Sequence, residues 1–144
     1  MSKVTASFNF EFGTRKEIEK GASDGLELAL KLLNRINKNN HNYKDRTGNL
    51  TASHGYKVTG LTGSLFNTAS YSAFVHDGTK RHWIQPVKAK ALSWVQGGVR
   101  RFSKGHYVSG ITARLWMKNN LDANFDRAEF IIERGLVNSI IKGK

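Results

Sequence analysis

The stretch Thr14-Arg15-Lys16-Glu17-Ile18-Glu19-Lys20-Gly21-Ala22-Ser23-Asp24-Gly25-Leu26-Glu27-Leu28-Ala29-Leu30-Lys31-Leu32-Leu33-Asn34-Arg35-Ile36 decides the fold class. Ile18, Ala22, Leu26, Ala29, Leu33 and Ile36 recur three and four residues apart, which places them on one face of a helix. Thr14 and Glu17 stand at capping-box spacing: the Thr hydroxyl takes an amide of the first turn and the Glu reaches back. The stripe ends in the polar run Asn37-Lys38-Asn39-Asn40. Gly21 and Gly25 each cost such a helix about 1 kcal/mol against Ala. In return they let another backbone come close.

On the N-terminal side, Ser7-Phe8-Asn9-Phe10-Glu11-Phe12 alternates, with three Phe on one face, and Gly13 punctuates it. That pattern predicts a half-buried strand. On the C-terminal side, Leu50–Val58 and Ser64–Ala69 flank a glycine-containing turn at 59–63 and predict two antiparallel strands. Tyr71–Val75 is short and apolar, and Asp77-Gly78-Thr79 breaks it. Trp83-Ile84 leads to Gln85 and Pro86, the only proline, which favours extended backbone before it. Ala91–Val95 predicts another strand. Gly97–Gly110 is rich in Gly, Ser and basic residues and reads as a long flexible basic loop. Phe125, Ala128, Ile132, Leu136 and Ile140 mark a second amphipathic helix, with Asn119 or Asn120 as its cap. The fold class expected is therefore α+β: a small, mostly antiparallel sheet packed by a long N-terminal helix and a C-terminal helix.

At 144 residues the chain has one domain's length. A domain of that size buries about two-thirds of its unfolded surface without covalent staples. Cys is absent, which removes disulfides, cysteine zinc sites and thiol catalysis. No apolar run is long enough to span a bilayer. Met1-Ser2-Lys3-Val4-Thr5 lacks a signal peptide's apolar stretch, so the expectation is a cytoplasmic protein or a particle assembled there.

Lys and Arg number 23 against 11 Asp and Glu, a net charge of +12. The surplus is concentrated. Between Gly78 and Leu121 there are nine basic residues and no acidic one. Thr14–Asn40 carries six bases and four acids, and Asp122–Lys144 four of each. A basic segment with ordinary ends points to an acidic partner: nucleic acid, an anionic membrane or an acidic protein face. The candidate partner-facing bases are Lys80, Arg81, Lys88, Lys90, Arg100, Arg101 and Lys104. Trp83, Trp94, Phe102, Tyr107 and Trp116 interleave with them. Aromatics among bases can stack nucleobases. The preferred reading of Trp83, Trp94 and Trp116 is as core residues or anchors of a protein interface.

Catalytic patterns are weak. His41, His54, His76, His82 and His106 have no zincin spacing, and His76, Asp77 and His82 make a poor ligand set without Cys or a nearby Glu. No Gly-x-Ser-x-Gly elbow supports a serine triad, and no phosphate-loop or dinucleotide fingerprint occurs. The carboxylates show no pairing in an apolar setting. The chain is read as a non-enzyme without metal or cofactor, with a small hydrolase or nuclease as the weakest reading.

Several segments, taken in order, resemble a known family. They are the first helix; Thr47-Gly48-Asn49-Leu50; Tyr71-Ser72-Ala73-Phe74-Val75-His76-Asp77-Gly78-Thr79; Arg81-His82-Trp83-Ile84-Gln85-Pro86; Lys88-Ala89-Lys90-Ala91-Leu92-Ser93-Trp94; and Ala113-Arg114-Leu115-Trp116 before the last helix. This order is similar to the small neck, or tail-completion, proteins of long-tailed bacteriophages. The similarity runs from about residue 14 onward and rests on order and spacing. His76-Asp77 departs from the family's usual Glu and apolar residue, and the closing motif lacks its proline. The resemblance implies one neck/tail-completion domain over 1–144 and a structural virion role with no catalytic residues. It implies a ring of copies that joins the DNA-filled head to the tail around the genome channel. The implied partners are head-closure or connector proteins, the tail terminator and, without sequence preference, channel DNA; no membrane is involved. The alternative is a free-standing nucleic-acid-binding protein that uses 78–121.

Overall fold

The structure is a computed structural model that describes residues 2–7 and 16–142. The strand expected over Ser7–Phe12 and the Thr14 half of the capping box lie outside the described residues, Ser7 excepted. The longest element is helix α1 (Lys16–Asn39). Its stripe is the expected one: Ala22, Leu26, Ala29 and Leu33 are buried, joined by Leu30, while Ile18 and Ile36 are half-buried. Helix α5 (Phe125–Lys142) lies along it and buries Ala128, Ile132 and Leu136. Ile140, expected on that stripe, is exposed instead.

The two helices touch backbone to backbone. A Cβ added at Gly25 would sit 2.9 Å from both the Cα and the carbonyl oxygen of Ile132. One added at Gly135 would sit 2.6 Å from the Gly21 carbonyl oxygen, and one at Gly21 would sit 2.7 Å from the Gly135 carbonyl oxygen. No side chain fits there, so the helix-weakening glycines are the condition for the contact.

A three-stranded antiparallel sheet also packs against α1. Its strands are β1 (Ser2–Ser7), β2 (His54–Thr59) and β3 (Thr62–Asn67), in the order β1-β3-β2. Ser2 pairs with Asn67 and Ser7 with Thr62, while His54 also faces Asn67 across the tight turn at 60–61. Leu65 of β3 meets Leu26, Leu30, Leu33, Ala128 and Ile132 in the main core.

Two expected strands shift: β3 runs Thr62–Asn67 rather than 64–69, and β2 loses its start. Leu50 is not in a strand but in a helical turn, α2 (Asn49–Ala52), and β2 starts only at His54. The cause is Asp45, whose carboxylate accepts the Gly48 N–H at 2.9 Å and the Thr51 N–H at 2.7 Å. It satisfies donors that a helix start leaves open, and these bonds, the one from Thr51 foremost, hold its carboxyl below the usual range. Of Tyr71–Val75, residues 72–75 belong to helix α3 (Ser72–Asp77), which Tyr71 precedes. A further helix, α4 (Trp116–Ala123), precedes α5. Asn119 and Asn120 therefore lie inside a helix and cap nothing; Asn124 stands at the break and accepts the Ala128 N–H at 3.0 Å. Asn120 ties α4 to the end of α1, donating to Asn37 Oδ1 at 3.0 Å and to the Asn40 carbonyl at 2.8 Å.

A second core cluster gathers Tyr43, Leu50, Ala69, Trp116 and Met117. Polar groups run through it. Asn67 is fully buried, donates to the Leu50 carbonyl at 2.7 Å and accepts the Ala69 N–H at 3.0 Å. Trp116 Nε1 donates to His54 Nε2 at 2.8 Å, and His54 Nδ1 donates to the Thr51 carbonyl at 3.1 Å. That pairing needs a neutral ring with its proton on Nδ1. Burial pushes the His54 pKa down, against the pull of the Thr51 carbonyl, and nearby Lys38 and His41 push the same way as burial.

Two outcomes follow. Ala for Gly in a helix interior normally stabilises by about 1 kcal/mol. Gly25→Ala should do the reverse here and lower stability by roughly 1–3 kcal/mol, because the new methyl meets backbone. Urea denaturation reads the sign directly. Since His54 is held neutral in the fold, the unfolded chain binds the extra proton more readily. Its contribution is complete above about pH 6.5 and is lost as pH falls through the lowered folded-state value. The urea midpoint should drop from pH 7.5 to pH 5, and His54→Gln should flatten that drop; equal slopes would contradict the neutral-ring assignment.

Candidate functional site

Residues 79–111 leave the body as a two-stranded arm. Thr79 and Ile111 exchange backbone hydrogen bonds at its root, at 2.8 and 3.1 Å. Beyond them β4 (His82–Ile84) pairs with β7 (His106–Val108), and farther out β5 (Leu92–Gln96) pairs with β6 (Val99–Ser103). Gly97 and Gly98 close the tip with φ of 57° and 80°, the left-handed pair that a two-residue I′ turn requires. The root is equally restrictive. Gly78 has φ 76° and Gly110 φ 89°. A Cβ on Gly78 would lie 2.6 Å from the Ile111 carbonyl oxygen, and one on Gly110 would collide with the Thr79 carbonyl.

The expected loop over 97–110 is thus corrected: it is the tip turn and the returning limb of this arm, with strands β6 and β7 inside it. Its partner strands lie at 92–96 and 82–84, so the pairing is not visible within the segment itself.

The structure gathers the basic candidates on the arm. Lys80, Arg81, Lys88, Lys90, Arg100, Arg101 and Lys104 are all exposed, and residues 79–111 hold no carboxylate. Among the described residues the ion pairs are His76–Asp77 and Lys118–Asp122, and none involves the arm. Four of the five aromatic candidates share it: Trp83, Trp94, Phe102 and Tyr107 are 50%, 38%, 67% and 60% exposed. Trp83 and Tyr107 face each other in register, T-shaped with centroids 5.1 Å apart. The Arg81 guanidinium lies over the Tyr107 ring at 4.7 Å, within cation–π range. The Trp83 indole rests on Gly105, where any Cβ would strike it. Trp94 tilts against His106 at 4.9 Å.

The fifth aromatic is a correction. Trp116 is 2% exposed and belongs to the core, packed edge-on against Tyr43 and His76 at 4.7 and 4.9 Å. The first residue of α4 and a partner for His54, it presents nothing to an interface. The His76, Asp77 and His82 set does not converge either. His76 is buried and bonds Asp77 at 2.6 Å, whereas His82 is exposed and turns to the Lys80 carbonyl at 2.9 Å. Among the described residues no group of three His, Asp or Glu side chains is placed to hold a metal ion.

One feature escaped sequence reasoning. A groove of about 720 Å³ opens beside the root, where Tyr71 and, from α3, Phe74 and Val75 face Ile84, Val108 and Ile111 of the arm. Its signal was present but ambiguous: a short apolar run at 71–75 looks the same whether it is core or groove wall. Chemically the arm offers fixed positive charge, exposed aromatic faces and a backbone scaffold. It suits an anionic partner with apolar or planar parts.

Comparison with known families, with curated proteins and with solved structures finds no match. Among the described residues no helix is long and apolar enough to cross a membrane.

The root glycines give a local test. Gly110→Ala should free the arm from the body without melting it. The Thr79 and Ile111 amides should lose hydrogen-exchange protection by tenfold or more, roughly the effect of 1.4 kcal/mol on a local opening, while α1 and α5 amides keep theirs. Uniform loss across the chain would show that the root is part of the global fold.

Proposed function

We propose that this chain is a neck subunit of a long-tailed phage, one copy in a ring that joins the DNA-filled head to the tail around the genome channel. Support comes from the ordered motifs of the sequence, and above all from one structural observation. An arm free of carboxylates, bearing exposed bases and aromatics, stands off an α+β body. A subunit that must reach its neighbours needs a projection whose side chains are not used up in its own core. A channel that DNA crosses needs contacts that are electrostatic and blind to sequence, because the DNA has to slide. In this reading the chain is assembled in the host cytoplasm and ends in the virion. Its partners are its own copies, a head-closure or connector protein on one side and the tail terminator on the other. No reaction is proposed for it.

A second reading, a free-standing nucleic-acid-binding protein, is favoured by one specific feature. The Arg81–Tyr107–Trp83 stack is exposed and resembles the platforms on which bases lie.

The deciding experiment is electron microscopy of lysates from a phage that carries this gene interrupted early. Full heads beside separate, finished tails are expected. Intact infectious particles would overturn the neck reading. Restoring the gene with Arg100→Glu and Arg101→Glu should leave joining impaired. Under the second reading the purified protein shifts DNA as a small species, and its affinity falls steeply with salt.

A further inference from the structure

Within one chain, two apolar surfaces are left uncovered on separate elements. The first is the arm tip. Val95, Val99 and Phe102 are 64%, 55% and 67% exposed. Phe102 faces Ser93 and Val95 faces Arg100 in the strand register, so Val95, Phe102 and Arg100 share one side of the ribbon. The second lies on α5. Phe130, Val137 and Ile141, at i, i+7 and i+11, form a stripe opposite the buried Ala128, Ile132 and Leu136. They are 57%, 51% and 65% exposed.

The charges beside these surfaces are complementary. Arg100 and Arg101 stand next to the tip turn, on opposite sides of the ribbon, with no acid anywhere on the arm. Asp126 and Glu133, seven residues apart, run along one flank of the α5 stripe, and Glu129 lies beyond them. None of these three carboxylates makes an ion pair among the described residues. On the other flank Arg134 leans over the Phe130 ring at 5.8 Å. An isologous contact of arm on arm would crowd like charges at the tips. A contact of arm on α5 pairs base with acid and covers both apolar surfaces at once.

We propose that the arm tip of one copy docks on the outward face of α5 of the next, with Val95 and Phe102 against Phe130 and Val137, and Arg100 towards Asp126 and Glu133. The occupant of the α5 face is a second copy of this chain. The contact is heterologous, since the two patches differ, and repetition of such a contact closes a ring when the rotation allows it. The proposal rests on the ring reading and specifies which surfaces repeat around it. A DNA strand is the competing occupant of the tip, but it leaves the aliphatic tip residues and the α5 stripe without a role.

Head-to-tail pairing has a signature that no other arrangement shares. The arm variant carries Val95→Ser, Arg100→Glu and Phe102→Ser. The face variant carries Phe130→Ser and Glu133→Ser. All five positions are exposed. In sedimentation of the full chain, the wild type should form species that grow with concentration. Each variant alone should stay monomeric, its association weakened by roughly tenfold or more. Mixed, the two variants should form a dimer and nothing larger, because one intact arm meets one intact face and the chain of contacts stops there. Should the face variant lose its helical circular-dichroism signal, Val137→Arg on the same stripe carries the test. Three results overturn the proposal: a wild type that stays monomeric into the high micromolar range, a face variant that associates like the wild type, or association that appears only with added DNA and depends on the arm alone. Each of these leaves the neck reading to the lysate micrographs. Heads and tails that still separate there would mean that the ring is built through other surfaces.

Discussion

The contact on which the rest depends is the backbone meeting of α1 and α5 at Gly21, Gly25 and Gly135. Side chains normally keep packed helices apart. Here three missing side chains let main chain touch main chain, which fixes both the spacing and the rotation of α5. Only the side of α5 that carries Gly135 fits the notch. Ala128, Ile132 and Leu136 are thereby turned inward and Phe130, Val137 and Ile141 outward. Leu26 and Leu30 of α1 then receive Leu65 from the sheet, so a single helix supports both layers. The intrinsic helix penalty of the glycines is the cost of this geometry.

A second constraint transmits order from the body to the arm. The chain returns from the arm through Arg114 and Leu115, whose N–H groups both point at the His76 carbonyl at 3.0 Å. Leu115 adopts φ 48°, a left-handed conformation that costs a non-glycine residue about 1–2 kcal/mol. The bonds to His76 help to hold it there, and the next residue, Trp116, drops into the core to reach His54. The arm's descending limb is thus tied to a buried tryptophan. On the ascending side, α3 begins at the buried Ser72, which accepts the Ser2 N–H at 3.0 Å. Both ends of the arm are moored to the same polar core.

Much of the body could be read from the chain because its signals are local. The α1 stripe, the hairpin around residues 60 and 61, the last helix and the strand at 92–96 all follow from periodicity or turn residues within a short window. The glycines of α1 pointed to a close neighbour, and Ile132 is that neighbour. The arm was only half legible. Its bases and aromatics were evident, but strands of three residues at 82–84 and 106–108 carry too little pattern to announce their pairing. Trp116 was ambiguous for a related reason: a tryptophan beside an arginine looks alike in a core and at an interface. Its placement follows from His54, far away in sequence, which no local window contains. Helix α2 replaced the start of a strand because one Asp carboxylate, upstream of the apolar run, satisfied two amides.

The arm is a ribbon of only two strands over most of its length. Every strand in it is an edge strand, with one row of N–H and C=O groups turned away from its partner. Such rows invite any extended chain to add itself, and folded proteins commonly guard them with charge, Lys above all. Arg100 and Arg101 on β6 occupy that protective position, with Lys88, Lys90 and Lys104 in the adjoining turns, and mutual repulsion of these charges opposes the stacking of free arms into a common sheet. The charges that the proposed contact uses would thus also guard the arm's open edges before any contact forms. An arm neutralised to Ala at these positions would not be a silent, non-binding arm but an adhesive one, and its β-aggregation would precede any question of what it failed to bind.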